Sequence, residues 1–334
     1  MTPGGPNPTE SARRNQPERP TLHFPVSDDR EPVELPPWPH EPALGFHDGR
    51  RPASLMGVVN VTPDSFSDGG RYLDPERAVE HGLALVEEGA DVLDIGGEST
   101  RPGAAPVDAE EELRRILPVI EGLRARCDTP VSVDTTKAAV ARAAVAAGAT
   151  VVNDVSGGLA DPEMLPTVAA LRDGVDLFLV LMHRQGTPDA MQQAPAYGDP
   201  LEEVRACLEE RLLAAEAAGI PRDRLVVDPG IGFGKRLDHN LALLRGLPRL
   251  RALGAPLLLG VSRKSFIGHI TGAERQAEWR SARAMDRDRV GGTAAAIALA
   301  VAGGGVDVLR VHDVAVMREA ALVAAAIARA PGTP

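Results

Sequence analysis

The chain has 334 residues, of which 43% are hydrophobic and 25% charged, a composition that fits a soluble globular protein of one large domain or two smaller ones. Its net charge of −11 argues against a general polyanion-binding surface, so nucleic acid is not an expected partner. Cys127 and Cys207 lie far apart with no His at ligand spacing, which argues against a disulfide framework or a zinc site. Without an apolar run long enough for a membrane span or a signal peptide, we expect a cytoplasmic protein that contacts no membrane.

The chain begins with a stretch that is rich in proline. Residues 1–48 contain eleven prolines, scattered charges and almost no apolar periodicity. We predict that this N-terminal extension is a flexible or surface-wrapping arm. Residues 49–334 are predicted to form a single domain.

From residue 55 onward, short apolar runs alternate with amphipathic, Ala-rich stretches, the pattern of βα units. Eight runs predict β-strands, over residues 55–60, 91–95, 131–134, 151–154, 177–182, 225–228, 257–261 and 306–311. The stretches between them predict helices, over residues 75–88, 110–126, 137–147, 201–218, 239–253 and 289–302. Four of these helices precede a glycine suited to a left-handed helix end, at Gly89, Gly148, Gly219 and Gly254. The pattern predicts an α/β fold, a (β/α)8 TIM barrel.

A doubly wound open sheet is the alternative to the barrel. In the dinucleotide-binding form of that fold, a Gly-x-Gly-x-x-Gly turn follows the first strand. Here the first strand runs into Asn-Val-Thr-Pro at 60–63, which favours the barrel.

Polar side chains occur where the predicted strands end. In a barrel, the carboxyl ends of all strands meet at one rim, and that rim holds the functional site. For any one of these residues, a helix N-cap, a turn or a structural ion pair would be an equally ordinary role, but so many together indicate a site. They are Asn60, Asp94, Asp134, Asn153, Asp154, His183, Asp228, Ser262, Arg263, Lys264, Ser265, Arg310 and His312.

Asp134, Asn153 and Asp228 end strands that we expect to be buried, where each needs a fixed polar partner. Carboxylate and amide groups can pair edge-on with the ring N–H and amino groups of a pterin or a purine. A donor-rich heterocycle therefore fits these three residues.

The last two strand ends are basic, because they carry Arg263, Lys264, Arg310 and His312. This region of a barrel commonly holds phosphate, and a diphosphate leaving group would be stabilised there. Mg²⁺ could share that task through Asn60, for which a structural role is about as ordinary.

Three loops complete the predicted site. Residues 228–235 are Gly-rich but do not form a Walker A loop, because Arg236 follows Lys235 where that motif requires Ser or Thr. We expect its glycines to let the backbone approach a ligand, and Lys235 to be a solvated loop charge. Loops 61–74 and 100–107 are predicted to cover the barrel mouth, with Phe66, Arg101 and Pro102 closing over an aromatic acid.

Seven segments of the sequence match the signatures of a known family. The two longest are MGVVNVTPDSFSDGG at 56–70 and DIGGESTRPG at 94–103. The others are SVDT at 132–135, NDV at 153–155, DPGIGFGK at 228–235, SRKS at 262–265 and RVHD at 310–313. In these segments and their order, the chain resembles the dihydropteroate synthases from about residue 55 to the C-terminus.

The resemblance implies a transferase of folate biosynthesis that joins (7,8-dihydropterin-6-yl)methyl diphosphate to 4-aminobenzoate, with Mg²⁺ as cofactor. It implies that the pterin diphosphate is bound by Asp94, Thr100, Asp134, Asn153, Asp228, Lys264, Arg310 and His312. The 4-aminobenzoate would be bound by Phe66, Arg101, Pro102, Phe233 and Ser265, and the metal by Asn60. The implied catalytic residues are Asp134, Lys264, Arg310 and His312. A homodimer and inhibition by sulfonamide-type analogues are further implications.

The resemblance also implies an SN1-like alkyl transfer, in which diphosphate departs first and the arylamine captures a pterin methylene cation. The residues agree with this, because the predicted rim offers charge stabilisation and positioning but no Ser-His-Asp or Cys-His arrangement. The segment 271–288 is longer and more charged than we expect for the family, which leaves the assembly open.

Two rival functions remain at this stage. A pterin-dependent methyltransferase would also bind the pterin with Asp and Asn, but would not need the sequences STRPG at 99–103 and SRKS at 262–265. A non-catalytic pterin-binding paralogue would have lost a loop or a diphosphate residue, and none is lost here.

Overall fold

A computed structural model describes residues 52–62, 74–99, 106–186, 191, 193–272 and 289–330. The arm predicted over residues 1–48 lies outside these residues, so it remains a prediction. Residues 63–73 and 100–105 of the two predicted covering loops, and residues 273–288 of the charged segment, also lie outside them.

Eight parallel β-strands form the centre of the fold. Strands β1 to β6 pair in chain order, and β8 lies between β1 and β7. The Val227 N–H donates to Pro256 O at 2.9 Å, and a parallel bridge joins Val227 to Leu257, so the sheet closes between β6 and β7. The predicted (β/α)8 barrel is confirmed. The strands are β1 (Ser54–Asn60), β2 (Val92–Gly96), β3 (Val131–Asp134), β4 (Val151–Asp154), β5 (Phe178–Met182), β6 (Leu225–Asp228), β7 (Leu258–Leu259) and β8 (Val308–Val311).

Helices surround the barrel, and aspartates start several of them. The carboxylates of Asp74, Asp108 and Asp199 accept backbone N–H groups of the first helical turn, which otherwise have no partner. No helix within the described ranges is both long enough and apolar enough to cross a membrane. The helices are α1 (Pro75–Glu87), α2 (Ala109–Arg124), α3 (Ala138–Ala146), α4 (Met164–Leu171), α5 (Pro200–Ala217), α6 (Leu237–Arg245), α7 (Leu247–Arg251), α8 (Ser265–Thr271), α9 (Val290–Ala302) and α10 (Val314–Arg329).

Three helices, α4, α8 and α10, lie outside the predicted helical stretches, and two predicted elements differ in form. The helix predicted over 239–253 is two helices, α6 and α7, because Pro248 has no N–H with which to continue the hydrogen bonds of α6 past Gly246. The strand predicted over 257–261 pairs regularly only at Leu258 and Leu259, and the chain leaves the ladder at Gly260. The first difference lies just before β7, and the second lies in β7 itself.

The barrel interior has an apolar floor, and we use this name for one set of buried residues throughout. Its members come from alternate positions of the strands, so they point to the same side of the sheet, away from the helices. A second and larger apolar cluster fills the space between the strands and the helices. The floor residues are Met56, Val92, Val151, Phe178, Val180, Val226, Leu258 and Val308.

Candidate functional site

The candidate site is a polar layer directly above the apolar floor. Residues two positions apart in a strand point to the same side, so the residue two positions after a floor residue also points into the barrel. Four site residues stand at such positions, and the three acidic or amide ones are almost fully buried. The four are Asp94 after Val92, Asn153 after Val151, Asp228 after Val226, and Arg310 after Val308.

Arg310 connects the carboxylates of two other strands. Its Nε donates to Asp94 Oδ2 at 2.6 Å, and its Nη2 donates to Asp134 Oδ2 at 2.7 Å. Burial lowers the pKa of Arg310, but Asp94 and Asp134 outweigh it and raise the pKa above its usual value. The guanidinium therefore stays charged inside the barrel, where a charge without partners would be costly.

Asp94 accepts hydrogen bonds from three side chains, whereas Asp134 has more capacity left. Asp94 Oδ1 accepts from Ser132 Oγ at 2.5 Å, and Asp94 Oδ2 accepts from Asn153 Nδ2 at 3.1 Å as well as from Arg310. Within the part of the chain that the structure describes, Arg310 is the donor that reaches the Asp134 carboxylate. Burial raises the pKa of Asp134, and the Arg310 charge opposes that rise. Asp134 is therefore the carboxylate best placed to accept from a ligand.

Sequence reasoning missed Ser132, although a signal was available. Ser132 stands directly opposite Asp94 in the parallel register of β2 and β3, two residues before Asp134. A hydroxyl at that inward position is needed because it donates to the fully buried Asp94.

On the other side of the layer, Lys264 lies close to Asp228. A Cβ placed on Gly260 would lie 3.7 Å from Lys264 Nζ and 3.9 Å from Asp228 Oδ2, so the absent side chain leaves room for both groups. Burial lowers the pKa of Lys264 to about 8, with Asp228 opposing the shift. Burial likewise raises the pKa of Asp228, with Lys264 opposing. Each charge thus opposes the pKa shift that burial imposes on the other group.

Lys264 also contacts the Gly-rich loop, the part of segment 228–235 that follows Asp228 at the end of β6. Its Nζ donates to Ile231 O and lies 4.7 Å from the centroid of the Phe233 ring. A cation over an aromatic face is a favourable contact that fixes both groups. The loop therefore places Phe233, which is predicted to bind 4-aminobenzoate, against Lys264.

The prediction that Lys235 is a solvated loop charge is wrong, because the residue is buried. Only 3% of the residue is exposed, and Nζ donates to Gly230 O and Phe233 O, each at 2.9 Å. It also lies 2.9 Å from His183 Nδ1. Burial lowers the pKa of Lys235 to about 7, and burial followed by the Lys235 charge lowers the pKa of His183 to about 3.

The role of Lys235 is to hold the backbone of the Gly-rich loop from beneath. Gly230 has φ +65°, and a Cβ there would come 1.9 Å from His183 O, so the loop crosses the end of β5 in direct backbone contact. Asn240 Oδ1 accepts from Gly232 N at 2.8 Å on the flank. The glycines were predicted to let the backbone approach a ligand. In the structure, Gly230 lets the loop approach the backbone of His183.

The basic rim is less basic than the sequence indicates. Arg263 forms a bidentate pair with Asp313, and Arg310 is paired with two carboxylates. His312 is held by Ser262 Oγ, which lies 3.0 Å from Nδ1 and accepts from the His312 backbone N at 3.2 Å.

The remaining predicted residues lie at the mouth or outside the described residues. Asn60 ends β1 with a half-buried side chain, and Ser265 is exposed at the start of α8. Phe66, Thr100, Arg101 and Pro102 are outside the described residues. In the described ranges, no group of three or more His, Cys, Asp or Glu side chains is arranged to hold a metal ion.

Comparisons with known proteins identify the family of this chain. Residues 56–312 match the family model described as pterin binding enzyme. The dihydropteroate synthase of Mycobacterium leprae is 50% identical over 268 residues, which are 79% of this chain and 89% of that protein.

Solved structures of the same enzyme are also similar to this chain. Dihydropteroate synthase of Xanthomonas albilineans, solved with 4-aminobenzoic acid, has 51% sequence identity and a TM-score of 0.74, covering 84% of this chain and 94% of that one. The Yersinia pestis enzyme, solved as a sulfonamide drug complex, has 40% identity and a TM-score of 0.74, covering 83% and 94%. The chain therefore belongs to the pterin-binding enzyme family and, within it, to the dihydropteroate synthases of folate biosynthesis.

Proposed function

We propose that this chain makes 7,8-dihydropteroate by holding the dihydropterin between buried acceptors while the cations of the rim stabilise the departing diphosphate. The observation that carries the proposal is the polar layer itself, in which Asp134, Asn153 and Asp228 are buried beside Lys264 and Arg310. Burying these charged and polar groups costs desolvation free energy, and proteins bear that cost where the groups bind a ligand.

The pterin is bound by the acceptors of this layer. Asp134 and Asp228 accept from ring N–H and amino groups, and Asn153 pairs with a neighbouring edge atom. Lys264 lies beside Asp228 and donates to an acceptor atom of the ring system. Asp94 acts mainly by orienting Asn153 and Arg310, which both donate to it, and Thr100 contributes from the loop after β2.

Arg310 changes partners when substrate binds. A pterin that pairs with Asp134 competes with the Arg310 guanidinium for that carboxylate. The guanidinium keeps Asp94 and turns part of its hydrogen-bonding capacity to the diphosphate oxygens. Pterin recognition and diphosphate binding are thereby coupled through one side chain.

Catalysis stabilises a leaving group and needs no nucleophilic side chain. The bond between the pterin methylene carbon and the diphosphate oxygen breaks, and its electron pair goes to that oxygen. Lys264, Arg310 and His312 stabilise the charge as it develops, while Asp134 holds the ring in position. The nitrogen of 4-aminobenzoate then bonds to the methylene cation and releases one proton to solvent.

Mg²⁺ fits the donor that the mouth offers. Asn60 presents an amide oxygen at a half-buried position, the type of hard ligand that Mg²⁺ accepts beside water and phosphate oxygens. When bound, the ion supplies further neutralisation of the diphosphate charge. Asn60 is the described residue that we assign to hold it.

The second substrate occupies the side formed by Phe233 and Ser265. Phe233 is fixed by Lys264 and by the Gly-rich loop, so it offers a rigid face to an aromatic ring. Phe66, Arg101 and Pro102 are assigned to the same subsite. Sulfonamide-type analogues, which share the arylamine, are expected to compete for it.

We also propose that the enzyme is a homodimer through α9 and α10, which pack on each other. Leu299 on α9 is 76% exposed, and Ile327 on α10 is 72% exposed. Val323 is 58% exposed on α10, and a group of large apolar side chains on two packed helices is typical of an interface.

A single-turnover experiment tests the order of steps. Enzyme in excess is mixed with the pterin diphosphate and Mg²⁺, and diphosphate release is followed with and without 4-aminobenzoate. We expect a burst of diphosphate in both cases, because departure comes first. A release that depends strictly on 4-aminobenzoate would contradict the proposed order.

A further inference from the structure

We infer that Arg263 is a positioning residue, which with Asp313 braces Lys264 and His312, and that it is not a ligand of the diphosphate. The inference rests on the proposed function, because it concerns the residues assigned to the departing diphosphate. It assigns a role to two residues that the proposed mechanism leaves unused.

The backbone of Arg263 is held in an unfavourable conformation. Its φ is +58°, and Ala194 is the other non-glycine residue with a positive φ in the described ranges. The left-handed region is disfavoured by a Cβ, so it persists only where surrounding contacts hold it. Arg263 directly precedes Lys264, so this conformation sets the direction in which the chain presents Lys264.

Four contacts hold Arg263 in that conformation. Its N–H donates to Thr293 Oγ1 at 3.1 Å, and its carbonyl oxygen accepts from Arg289 Nη1 at 3.0 Å. The guanidinium donates from Nε to Asp313 Oδ2 at 2.9 Å and from Nη2 to Asp313 Oδ1 at 2.5 Å. Both backbone groups and two of the three guanidinium nitrogens, Nε and Nη2, are therefore used within the protein.

Asp313 pairs with Arg263 and does not cap the helix that it precedes. It stands at the N-cap of α10, where an aspartate commonly accepts from the first helical N–H groups, but its side chain makes no capping bond. Its two oxygens face Arg263 instead. Because Asp313 caps no N–H group of its own helix and pairs with a distant arginine instead, the pair indicates a separate purpose.

The pair forms one of two adjacent rungs between the β7 and β8 loops. Ser262 bonds to His312 through its Oγ, and the next residues along the two loops, Arg263 and Asp313, form the second rung. The two rungs fix His312 on one loop and Lys264 on the other. These are two of the residues that must meet the diphosphate together.

A double-mutant cycle separates a brace from a ligand. Arg263→Gln, Asp313→Asn and the double variant are assayed for kcat and for KM of both substrates. Binding of inorganic diphosphate is measured in the same proteins. For a brace, each single change lowers kcat by ~10- to 100-fold, and the double change is no worse than the single ones, because the same contact is lost each time. The KM of the pterin diphosphate changes less than kcat.

A direct ligand would give a different pattern. Asp313→Asn would then leave kcat near the wild-type value and strengthen diphosphate binding, because the arginine would be released. Only Arg263→Gln would be damaging. That outcome would overturn the inference, as would additive losses in the cycle.

Arg263→Gly tests the backbone part of the argument. Glycine adopts a positive φ without strain, so this variant should retain several-fold more activity than Arg263→Gln although both lack the guanidinium. Equal activity of the two variants would contradict a role in holding the backbone.

The chain offers a matched control at the opposite end of the same strands. Arg251 also forms a bidentate pair, with Asp307, next to the start of β8. Arg251→Gln should lower thermal stability and leave kcat within about twofold of wild type. If it lowered kcat as much as Arg263→Gln does, the effect of Arg263→Gln would be explained by a general loss of stability and not by a brace.

A readout without turnover keeps the inference separate from the proposed function. The imidazole NMR signals of His312, assigned with a His312→Gln variant, should shift in Arg263→Gln and stay unchanged in Arg251→Gln. Wild-type protein that makes no dihydropteroate would sink the proposed function, while an unshifted His312 would sink the brace.

Discussion

Lys235→Met should change how the stability of the protein depends on pH. The wild-type ammonium is almost fully buried, and burial lowers its pKa from 10.5 to about 7, with Asp228 opposing the shift. Below pH 7, both the folded and the unfolded states carry the proton, and the folded state bears the full cost of the buried charge. Between pH 7 and the unfolded pKa, only the unfolded state keeps it, so the wild-type protein gains stability as the pH rises.

The size of this gain follows from the two pKa values. Each pH unit in which only the unfolded state is protonated adds about 1.4 kcal/mol to the free energy of unfolding. Because the folded state is half protonated near pH 7, the gain between pH 7 and pH 9 is about 2 kcal/mol. Methionine has a similar length and no proton to lose, so Lys235→Met should lack this slope.

Urea unfolding at pH 7, 8 and 9 measures the effect in both proteins. Groups that titrate alike in the two proteins cancel, so the stability difference should widen with pH in favour of wild type by about 2 kcal/mol. Lys137→Met is the control. The pKa of Lys137 is lowered by burial but raised overall by Glu112 and Glu98, so its difference from wild type should stay constant over this range. Parallel curves for Lys235→Met would refute the argument from burial.

Other predictions concern the loop, the site and the assembly. Gly230→Ala should lower the free energy of unfolding by about 3 kcal/mol or more, because its Cβ would clash with His183 O in addition to the strain of a positive φ. Gly254→Ala is the control, because Gly254 has φ +77° and open space around it, and it should cost only about 1 kcal/mol. Equal melting temperatures of the two variants would contradict the backbone contact at Gly230. Asp134→Ala and Lys264→Ala should each abolish turnover, a loss of at least ~1000-fold, with the melting transition retained, and unchanged rates would break the assignment of the polar layer. Leu299→Glu should convert a dimer to a monomer in light scattering at micromolar concentration, and a wild-type protein that is already monomeric would remove the proposed interface.

The barrel and its polar layer could be predicted because both depend on local periodicity. Parallel strands that carry Asp94, Asp134, Asn153 and Asp228 at or near their carboxyl ends place those residues at one rim whatever the details of packing. Inward orientation follows from the same alternation that makes the apolar floor.

Lys235 and Arg263 could not be predicted in the same way. A lysine in a Gly-rich loop has the pattern of a solvated charge, and its burial depends on His183, which lies 52 residues earlier in the chain. The pairing of Arg263 depends on Asp313, 50 residues later, and on a left-handed backbone that no local preference of arginine indicates. Contacts between distant loops decide both cases, so single-sequence patterns carry no signal for them.

Ion pairs within the protein reduce the positive charge that the basic residues of the rim can offer to a ligand. Arg263 and Arg310 were expected among the basic residues of a diphosphate site, and both are paired with carboxylates. A count of basic residues at strand ends therefore overstates the charge offered to a ligand. Lys264 and His312 are the other described residues that the two loops present there.

The most direct test of the account is the full reaction with purified wild-type protein. The pterin diphosphate, 4-aminobenzoate and Mg²⁺ are supplied, and dihydropteroate and diphosphate are quantified over time. The account predicts that both products form in equal amounts and that a sulfonamide competes with 4-aminobenzoate. Tight pterin binding without either product would contradict it.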